Sequence, residues 1–276
     1  QSKIDYSIAL LRKCEQMALD YDPENGFYLA FSGGKDSQAL YHIAKMAGVK
    51  FKAHMNLTSI DPPDVIRFVK RNYPDVELIK PKMSIYDMAL KTHLLPTRRI
   101  RWCCAKFKEM SGAGKVTLIG IRHAESARRS KREEIEISNH KFSGNFDQFS
   151  EHKEQMVTCV GGKDKILVSP IIHWTDRDVW DFLNGNKIEH CSLYDEGYKR
   201  IGCILCPMSS YKDKRKDCQR FPHVKHKWIQ TIQKMIDAGY INRSFTDAEF
   251  GFNWWISDKN FDQYYAEEVL QQKIEF

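Results

Sequence analysis

Apolar positions recur along this chain with two periods, and the change from one to the other marks its first elements. Ile8, Leu10, Leu11, Met17, Ala18 and Leu19 follow the helical repeat within Tyr6–Tyr21 and predict an amphipathic N-terminal helix. Phe27-Tyr28-Leu29-Ala30-Phe31 is then a continuous apolar run. It stops at Ser32-Gly33-Gly34-Lys35-Asp36-Ser37, and Gln38-Ala39-Leu40-Tyr41-His42-Ile43-Ala44 follows. This reads as a buried strand, a tight glycine turn, and a helix whose first free N–H groups face back into the turn. Gly48 ends that helix and Lys50–Met55 forms a second strand. Asp61-Pro62-Pro63-Asp64 opens a helix that runs through Lys70, with proline in the first turn, where its missing N–H does no harm. Asp75–Ile79 is a third strand, and Ser84 caps a helix over Ile85–Leu90. A helix around Cys103–Met110 leads to a fourth strand, Val116–Gly120. The alternation predicts an α/β fold with a doubly wound, mostly parallel sheet and helices on both faces. Ligands of such sheets bind at the carboxyl ends of the strands. The loops after Phe31, Met55 and Ile119 are therefore expected to line one cleft, bringing Ser32–Ser37, Asn56–Ser59 and Gly120–Arg129 together.

From about Glu133 to Lys165 the pattern turns polar and irregular, as expected of an insertion with a short hairpin. Gly161-Gly162-Lys163-Asp164 repeats four residues of the earlier turn. It lies between the β-branched runs Met156–Val160 and Ile166–Val168, so it reads as a hairpin turn and not as a second anion site. Thr175 caps a helix through Leu183, with Asp178 three residues on as an acidic capping box. Beyond Cys206 the chain is helical, basic and aromatic. The expected organisation is an N-terminal helix over residues 1–25, a nucleotide-binding α/β domain over 26–206, and a helical region over 207–276.

Net charge is +7, which favours anionic partners of any kind. Eleven cations between Arg98 and Arg132 are interrupted only by Glu109 and Glu125 within that stretch. Runs of this kind are commonly solvated faces, and this one permits a nucleic-acid partner without requiring one. No apolar run approaches the roughly 18 residues of a membrane helix, and Gln1–Asp5 has no signal-peptide core. Eight cysteines without such a signal point to a reducing compartment, where clustered thiols hold metal more often than they pair. Cytoplasm, without a membrane partner, is the expected location.

The chemistry concentrates in two places. At Ser32–Ser37 the glycines let a phosphate approach the backbone, helix N–H groups donate to it, and Lys35 adds positive charge. Ser32 and Ser37 offer hydroxyls. Asp36 would repel a phosphate unless Mg²⁺, another divalent cation or a substrate hydroxyl lay between them. The spacing is neither that of the Walker A loop nor Gly-x-Gly-x-x-Gly. The second place is Cys103-Cys104 with Cys203-Ile204-Leu205-Cys206. A Cys-x-x-Cys pair serves zinc, a redox dithiol or an iron–sulfur cluster. Adjacent cysteines on a helix point roughly 100° apart, which suits a [4Fe-4S] cluster better than a single zinc ion. Cys14, Cys159 and Cys191 read as buried apolar residues. Cys218 lies among Lys214, Arg215, Lys216 and Arg220, cations able to depress a thiol pKa. His54, His173 and His190 read as locally satisfied, and the Trp254-Trp255 region reads as an aromatic packing core.

Ser32-Gly33-Gly34-Lys35-Asp36-Ser37 resembles the pyrophosphate loop of the ATP-pyrophosphatase superfamily. Together with Cys103-Cys104-Ala105-Lys106-Phe107-Lys108, Gly120–Arg129, Trp174–Trp180 and Leu193–Cys203 with Cys206-Pro207, it makes the chain similar to the phosphoadenosine-phosphosulfate (PAPS) reductase family. The cysteines resemble those of the iron–sulfur adenylylsulfate reductases. The resemblance implies an adenine nucleotide alpha hydrolase-like fold that binds ATP or an adenylylsulfate-type nucleotide at Ser32, Gly33, Gly34, Lys35, Asp36 and Ser37. It further implies a [4Fe-4S] cluster, with zinc as the alternative, on Cys103, Cys104, Cys203 and Cys206. Lys108 would link cluster and substrate electrostatically, and Arg122, Arg128 and Arg129 would receive the sulfate or phosphate end. Lys108, Arg122 and Asp36 are thus the expected catalytic residues. The family's terminal Glu-Cys-Gly-Leu-His string has no counterpart in Leu270–Phe276, and no cysteine follows Cys218. The functions implied are sulfonucleotide reduction or adenylation-dependent sulfur transfer to tRNA or DNA, with a thiol or a protein as sulfur or electron donor. A non-catalytic nucleotide or redox sensor is the alternative outside catalysis.

Overall fold

The structure is a computed structural model that describes residues 2–109, 111–138, 142–151, 164–241, 245 and 247–274. The chain divides into two compact units. The first comprises residues 1–57, 63–79 and 108–201, and the second 58–62, 80–107 and 202–276.

The first unit is built on a seven-stranded sheet. Its strands are β1 (Phe27–Ala30), β2 (Phe51–Asn56), β3 (Glu77–Ile79), β4 (Val116–Leu118), β5 (Ile135–Ile137), β6 (Phe142–Gly144) and β7 (Ile166–Val168). They lie in the order β3-β2-β1-β4-β7-β5-β6. β3, β2, β1, β4 and β7 are mutually parallel. The strand order reverses between β1 and β4, so the loop after β1 opens at the switch point of the sheet, where ligands of doubly wound folds bind. Phe27, Leu29, Val116, Leu118 and Val168 are fully buried, as parallel strands covered on both faces must be.

Helix α1 (Lys3–Tyr21) packs on α2 (Lys35–Ala47). Ser2 caps α1 in a capping box with Asp5. α3 (Pro63–Asn72) follows β2, and in the second unit α4 (Ile85–Thr92) begins at the Ser84 cap, as its sequence predicts.

Two segments depart from the sequence pattern. Trp102–Cys104 forms one α-helical turn (α5), and Ala105–Glu109 then widens into a π-helical turn in place of a continuous helix to Met110. Such a turn re-aims neighbouring side chains, which periodicity along the chain does not encode. The short hairpin expected within the irregular stretch is present as the antiparallel pair β5 and β6, but β5 also pairs antiparallel with β7 and so joins the main sheet, which the pattern does not predict. Each of these strands has only three residues, too few for a period-of-two signal to stand out from the surrounding charges. The expected hairpin turn at Gly161–Lys163 and the run holding Cys159 lie outside the described residues. α6 (Phe146–Glu151) follows β6, and α7 (Asp176–Gly185) starts at Thr175, whose hydroxyl accepts from Asp178 N–H in the expected box.

The second unit gathers α4 and α5 with α8 (Tyr211–Arg220), α9 (Pro222–Asp237), α10 (Ala248–Ser257) and α11 (Phe261–Ile274). Trp228 is its buried centre, 4.8 Å from the Trp255 ring and 5.0 Å from that of Tyr86. Trp255 Nε1 donates to the Pro96 carbonyl at 2.7 Å. The C-terminal aromatics thus form a packing core, as read from their clustering. No described helix is long and apolar enough to cross a membrane.

Gly33 is where the fold constrains the loop most tightly. Its φ is +73°, and an added Cβ would stand 2.8 Å from Val65 Cγ1 and 2.9 Å from Val69 Cγ2. Gly48, the C-cap of α2, has a similar φ of +71° but nothing within 4 Å of its Cβ position. Gly33→Ala is therefore expected to cost about 3 kcal/mol, from backbone strain plus overpacking, and Gly48→Ala about 1 kcal/mol. Urea unfolding of both variants checks this. Equal losses would show that α3 gives way to the added methyl and does not hold the turn.

Candidate nucleotide-phosphate site and cysteine group

Gly34 is the N-cap of α2, so Lys35, Asp36 and Ser37 occupy the first helical turn. Gly34 contributes no side-chain cap, which keeps the helix N-terminus open to the loop. The loop is braced by its own serines. Ser37 Oγ donates to Gly34 O at 2.8 Å and accepts from Ser32 N–H at 3.2 Å, and the two serine hydroxyls are 3.2 Å apart. Buried Gln38 ties Gly33 O through Nε2 at 3.0 Å. Gly120, at the end of β4, closes on this turn: a Cβ there would lie 3.1 Å from Asp36 O and 3.4 Å from Ser37 N. The expected meeting of Gly120 with the loop is thus present, and a side chain at this position would press on the backbone of Asp36.

Around Lys35 the fold assembles four charges. Its ammonium lies 3.0 Å from Asp176 Oδ1 and 3.6 Å from Asp36 Oδ2. Arg122 Nε donates to Asp36 Oδ1 at 2.7 Å, Arg122 Nη2 to Asp176 Oδ1 at 3.0 Å, and Nη1 to the Trp174 carbonyl at 3.4 Å. Lys35 and Arg122 are buried, with residue exposures of 5% and 2%. Asp36, which the sequence pairs with a divalent cation or a substrate hydroxyl, here has Arg122 as its counter-charge. Partial burial of Asp176 raises its carboxyl pKa, but Lys35 and Arg122 outweigh that effect and hold it below the usual carboxylate range. The Lys35 N–H, first in the helix, donates to the Tyr194 hydroxyl at 2.9 Å. Burial pushes the Tyr194 phenol up, so it stays protonated.

Asp176 and Tyr194 are absent from the residues assigned by sequence. Asp176 follows the cap Thr175 and was masked by its local helix-starting role. Both lie in motif pieces, Trp174–Trp180 and Leu193–Cys203, that identify the family without revealing what they touch. The expected arginines separate: Arg122 lies against Asp36 and Asp176, Arg129 pairs with Glu125, and Arg128 is exposed. Other members of the basic run have local acidic partners, Lys115 with Asp22 and Arg132 with Glu136, so the run is not one continuous face. Lys108 is exposed in the π-helical turn. Lys165 Nζ fixes the exit of that turn, donating to Glu109 O at 2.8 Å and Ser111 O at 2.9 Å. His173 meets Glu134 and His190 meets Asp195, partners of the kind expected of them, whereas His54 stacks on Tyr28 and leaves its buried Nδ1 without a hydrogen bond among the described residues.

In the second unit, Cys103 and Cys104 end α5, and Cys203 and Cys206 flank a turn with Leu205 at φ +56°. That turn is held by Asp217, which accepts from Leu205 N–H at 2.8 Å, and by Ile204 N–H donating to Ile60 O at 2.9 Å. The Cys103 thiol is pushed up by its hydrogen bond to Cys104, by burial, and by the charges of Cys104, Cys206 and Cys203, so the four sulfurs sense one another. Thr58 Oγ1 donates to Cys203 Sγ at 3.4 Å and Arg101 Nη2 to Cys104 Sγ at 3.3 Å. Hydrogen bonds to sulfur of this kind fit thiolate ligands of an iron–sulfur cluster. Among the described residues, no three His, Cys, Asp or Glu side chains stand ready-made around a single ion.

The other described thiols are not activated. Burial pushes Cys14 up to about 12 and raises Cys191. Cys218 is also raised by burial, with Lys225 and Arg215 opposing only in part, so its cationic sequence neighbours do not make it a thiolate.

A doubly wound sheet with a glycine turn, a buried lysine and a helix N-terminus at its switch point defines an α/β nucleotide-phosphate-binding domain. The phosphoadenosine phosphosulfate reductase domain matches residues 26–209, more than half of the chain. The chain belongs to this family, within the adenine nucleotide alpha hydrolase superfamily. It is 25% identical over 254 residues to the uncharacterized protein MJ0973 of Methanocaldococcus jannaschii, covering 87% of this chain and 55% of that protein. It is 28% identical over 151 residues to an adenosine 5'-phosphosulfate reductase of Oceanobacillus iheyensis, covering 52% of this chain and 54% of that enzyme. The chain thus spans about half the length of these curated relatives. Among solved structures, FMN adenylyltransferase of Candida glabrata with FAD and pyrophosphate superposes with a TM-score of 0.47 at 16% identity, covering 73% of this chain and 62% of that one. The U34-tRNA thiolase NcsA of Methanococcus maripaludis with its [4Fe-4S] cluster gives 0.42 at 10% identity, over 87% and 83%. Both likenesses are too loose to carry an argument about ligands.

Proposed function

We propose that Ser32–Ser37 holds the phosphates of an adenine nucleotide, either ATP or an adenylylsulfate-type ester, and that the chain works at the α-phosphate in sulfur chemistry. The observation that carries this reading is the buried Lys35 ammonium at a helix N-terminus whose N-cap, Gly34, supplies no side-chain cap, in a loop braced by Ser32, Ser37 and Gln38. Lys35 and the Gly33–Gly34 backbone would hold phosphate oxygens. Asp36 and Arg122, joined at 2.7 Å, would orient the first turn of α2. Arg128 and Arg129 would meet the far sulfate or phosphate, with Arg129 first exchanging Glu125. Cys103, Cys104, Cys203 and Cys206 would ligate a [4Fe-4S] cluster, which supplies a Lewis-acidic or electron-transferring centre when bound, and Lys108, four residues after Cys104, would add a positive charge.

Both reactions within this class require an attacking sulfur. In sulfonucleotide reduction a thiolate attacks the sulfonate sulfur, an S–S bond forms and AMP leaves. In sulfur transfer, ATP adenylylates an acceptor oxygen with release of pyrophosphate, and a sulfur nucleophile then displaces AMP. The raised pKa values of Cys14, Cys191 and Cys218 favour a sulfur brought by a donor protein or small thiol. A sulfur supplied from outside serves either reaction. Similarity to adenosine 5'-phosphosulfate reductases supports the reductive one.

The test is a panel of ATP, adenylylsulfate and phosphoadenylylsulfate, assayed anaerobically for binding and for release of pyrophosphate or sulfite. Release of pyrophosphate or sulfite, abolished in Lys35→Ala, is the expected result, and pyrophosphate from ATP in the presence of an acceptor would establish adenylation. Sulfite release with added thiol would establish the reductase instead, and binding without turnover of any nucleotide would reduce the chain to a sensor.

A further inference from the structure

The two donors that anion binding requires of Lys35 are both taken by this chain's own oxygens. Its ammonium faces Asp176 Oδ1 at 3.0 Å, and its N–H faces the Tyr194 hydroxyl at 2.9 Å. These partners differ in character from Asp36. Both carboxylates are held by Arg122, Asp36 through Nε at 2.7 Å and Asp176 through Nη2 at 3.0 Å, but the Asp36 side chain is 23% exposed whereas that of Asp176 is 64% exposed over a lysine side chain only 6% exposed. Among these contacts, Asp176 is therefore the partner that can return to water at least cost, and it stands between solvent and the ammonium. Tyr194 is close to the loop backbone as well, its hydroxyl 3.4 Å from where a Gly34 Cβ would be. Its ring packs edge-on to Trp180 at 5.0 Å.

We propose that Asp176 and Tyr194 are gating residues of the phosphate loop, and that phosphate enters by exchange, its oxygens taking the positions on Lys35 held by the Asp176 carboxylate and the Tyr194 hydroxyl. This rests on the reading of Ser32–Ser37 as a phosphate site. In the exchange one anion replaces another on Lys35 and on Arg122 Nη2, both of which Asp176 releases, while Arg122 Nε keeps Asp36 in place. It also gives the site selectivity: a ligand must be anionic enough to outcompete a carboxylate, so a neutral nucleoside does not open it.

The experiment is calorimetric titration of the full chain with inorganic pyrophosphate. Removing the competing charge in Asp176→Asn is expected to tighten binding about fivefold, and removing the hydroxyl in Tyr194→Phe about threefold. A residue that merely held Lys35 in place would weaken binding when changed, so the sign of the effect decides. Tyrosine displacement should also shift Trp180 fluorescence on pyrophosphate addition, a signal lost in Trp180→Phe. Asp176→Ser repeats the charge removal should the asparagine variant fold poorly. Unchanged or weaker binding in both Asp176 variants, with Lys35→Ala unable to bind, would overturn the gate and leave the loop reading intact. Wild-type affinity in Lys35→Ala, or no binding by any variant, would overturn both.

Discussion

Arg122→Met is expected to lower stability by about 2–3 kcal/mol, read as a shift in the urea midpoint. Arg122 is buried and holds two carboxylates, Asp36 at 2.7 Å and Asp176 at 3.0 Å. Removing it leaves both facing Lys35 alone, one uncompensated negative charge in a largely dry place. Breaking a buried pair costs roughly 3–5 kcal/mol, and the value is set lower here because the Asp36 and Asp176 side chains keep 23% and 64% of their exposure. A second substitution supplies the control. Asp36→Asn removes the charge that Arg122 balances, so adding it to Arg122→Met should recover about 1 kcal/mol relative to additivity. Strictly additive losses would show that the arginine acts through packing alone. The same substitution should weaken nucleotide binding, because Asp36 lies in the first turn of α2, whose N–H groups form the loop.

The second large effect concerns the cysteines. Anaerobically prepared protein is expected to carry iron and acid-labile sulfide in equal amounts, and Cys104→Ser or Cys203→Ser to lose both along with the visible absorption of the cluster. These two sulfurs already accept hydrogen bonds, from Arg101 and Thr58. Milder variants follow from that. Thr58→Val, which keeps the size and removes the donor, should retain the iron and lower the reduction potential, because a hydrogen bond to a ligand sulfur stabilises the more negative, reduced state. Stoichiometric zinc without sulfide in the wild-type chain would replace the cluster by a zinc site.

Much of the first unit was readable in the chain itself. The run Phe27–Phe31, the glycine turn and the periodic Gln38–Ala44 specify a strand, a loop and a helix by local rules, and β1 and α2 formed where those rules put them. Caps were equally legible at Ser84 and Thr175, because a cap is a contact across three residues. The positions of β5 and β6 and the pairing of β5 with β7 were not, since a three-residue strand draws its stability from its neighbours in the sheet and leaves almost no pattern of its own. The π-helical turn after Cys104 was hidden for a related reason: the same residues can form an α-helix, and surrounding contacts decide between them.

For the site, the division falls between presence and partnership. Local sequence was enough to propose Ser32–Ser37 as an anion loop and the four cysteines as a ligand set, because glycine at a tight turn, lysine at a helix start and paired thiols suggest their chemistry wherever they are placed. It could not say that Asp36 would be balanced by Arg122, that Asp176 would share the same arginine, or that Tyr194 would accept the Lys35 N–H. Those contacts join residues 86, 54 and 159 positions apart for the Arg122–Asp36, Arg122–Asp176 and Lys35–Tyr194 pairs. Only the crossing of the chain between β1 and β4 and the return through α7 bring such distant charges within hydrogen-bond distance. Electrostatic energy depends on that separation in space and on the burial around it, neither of which any local stretch of this sequence contains.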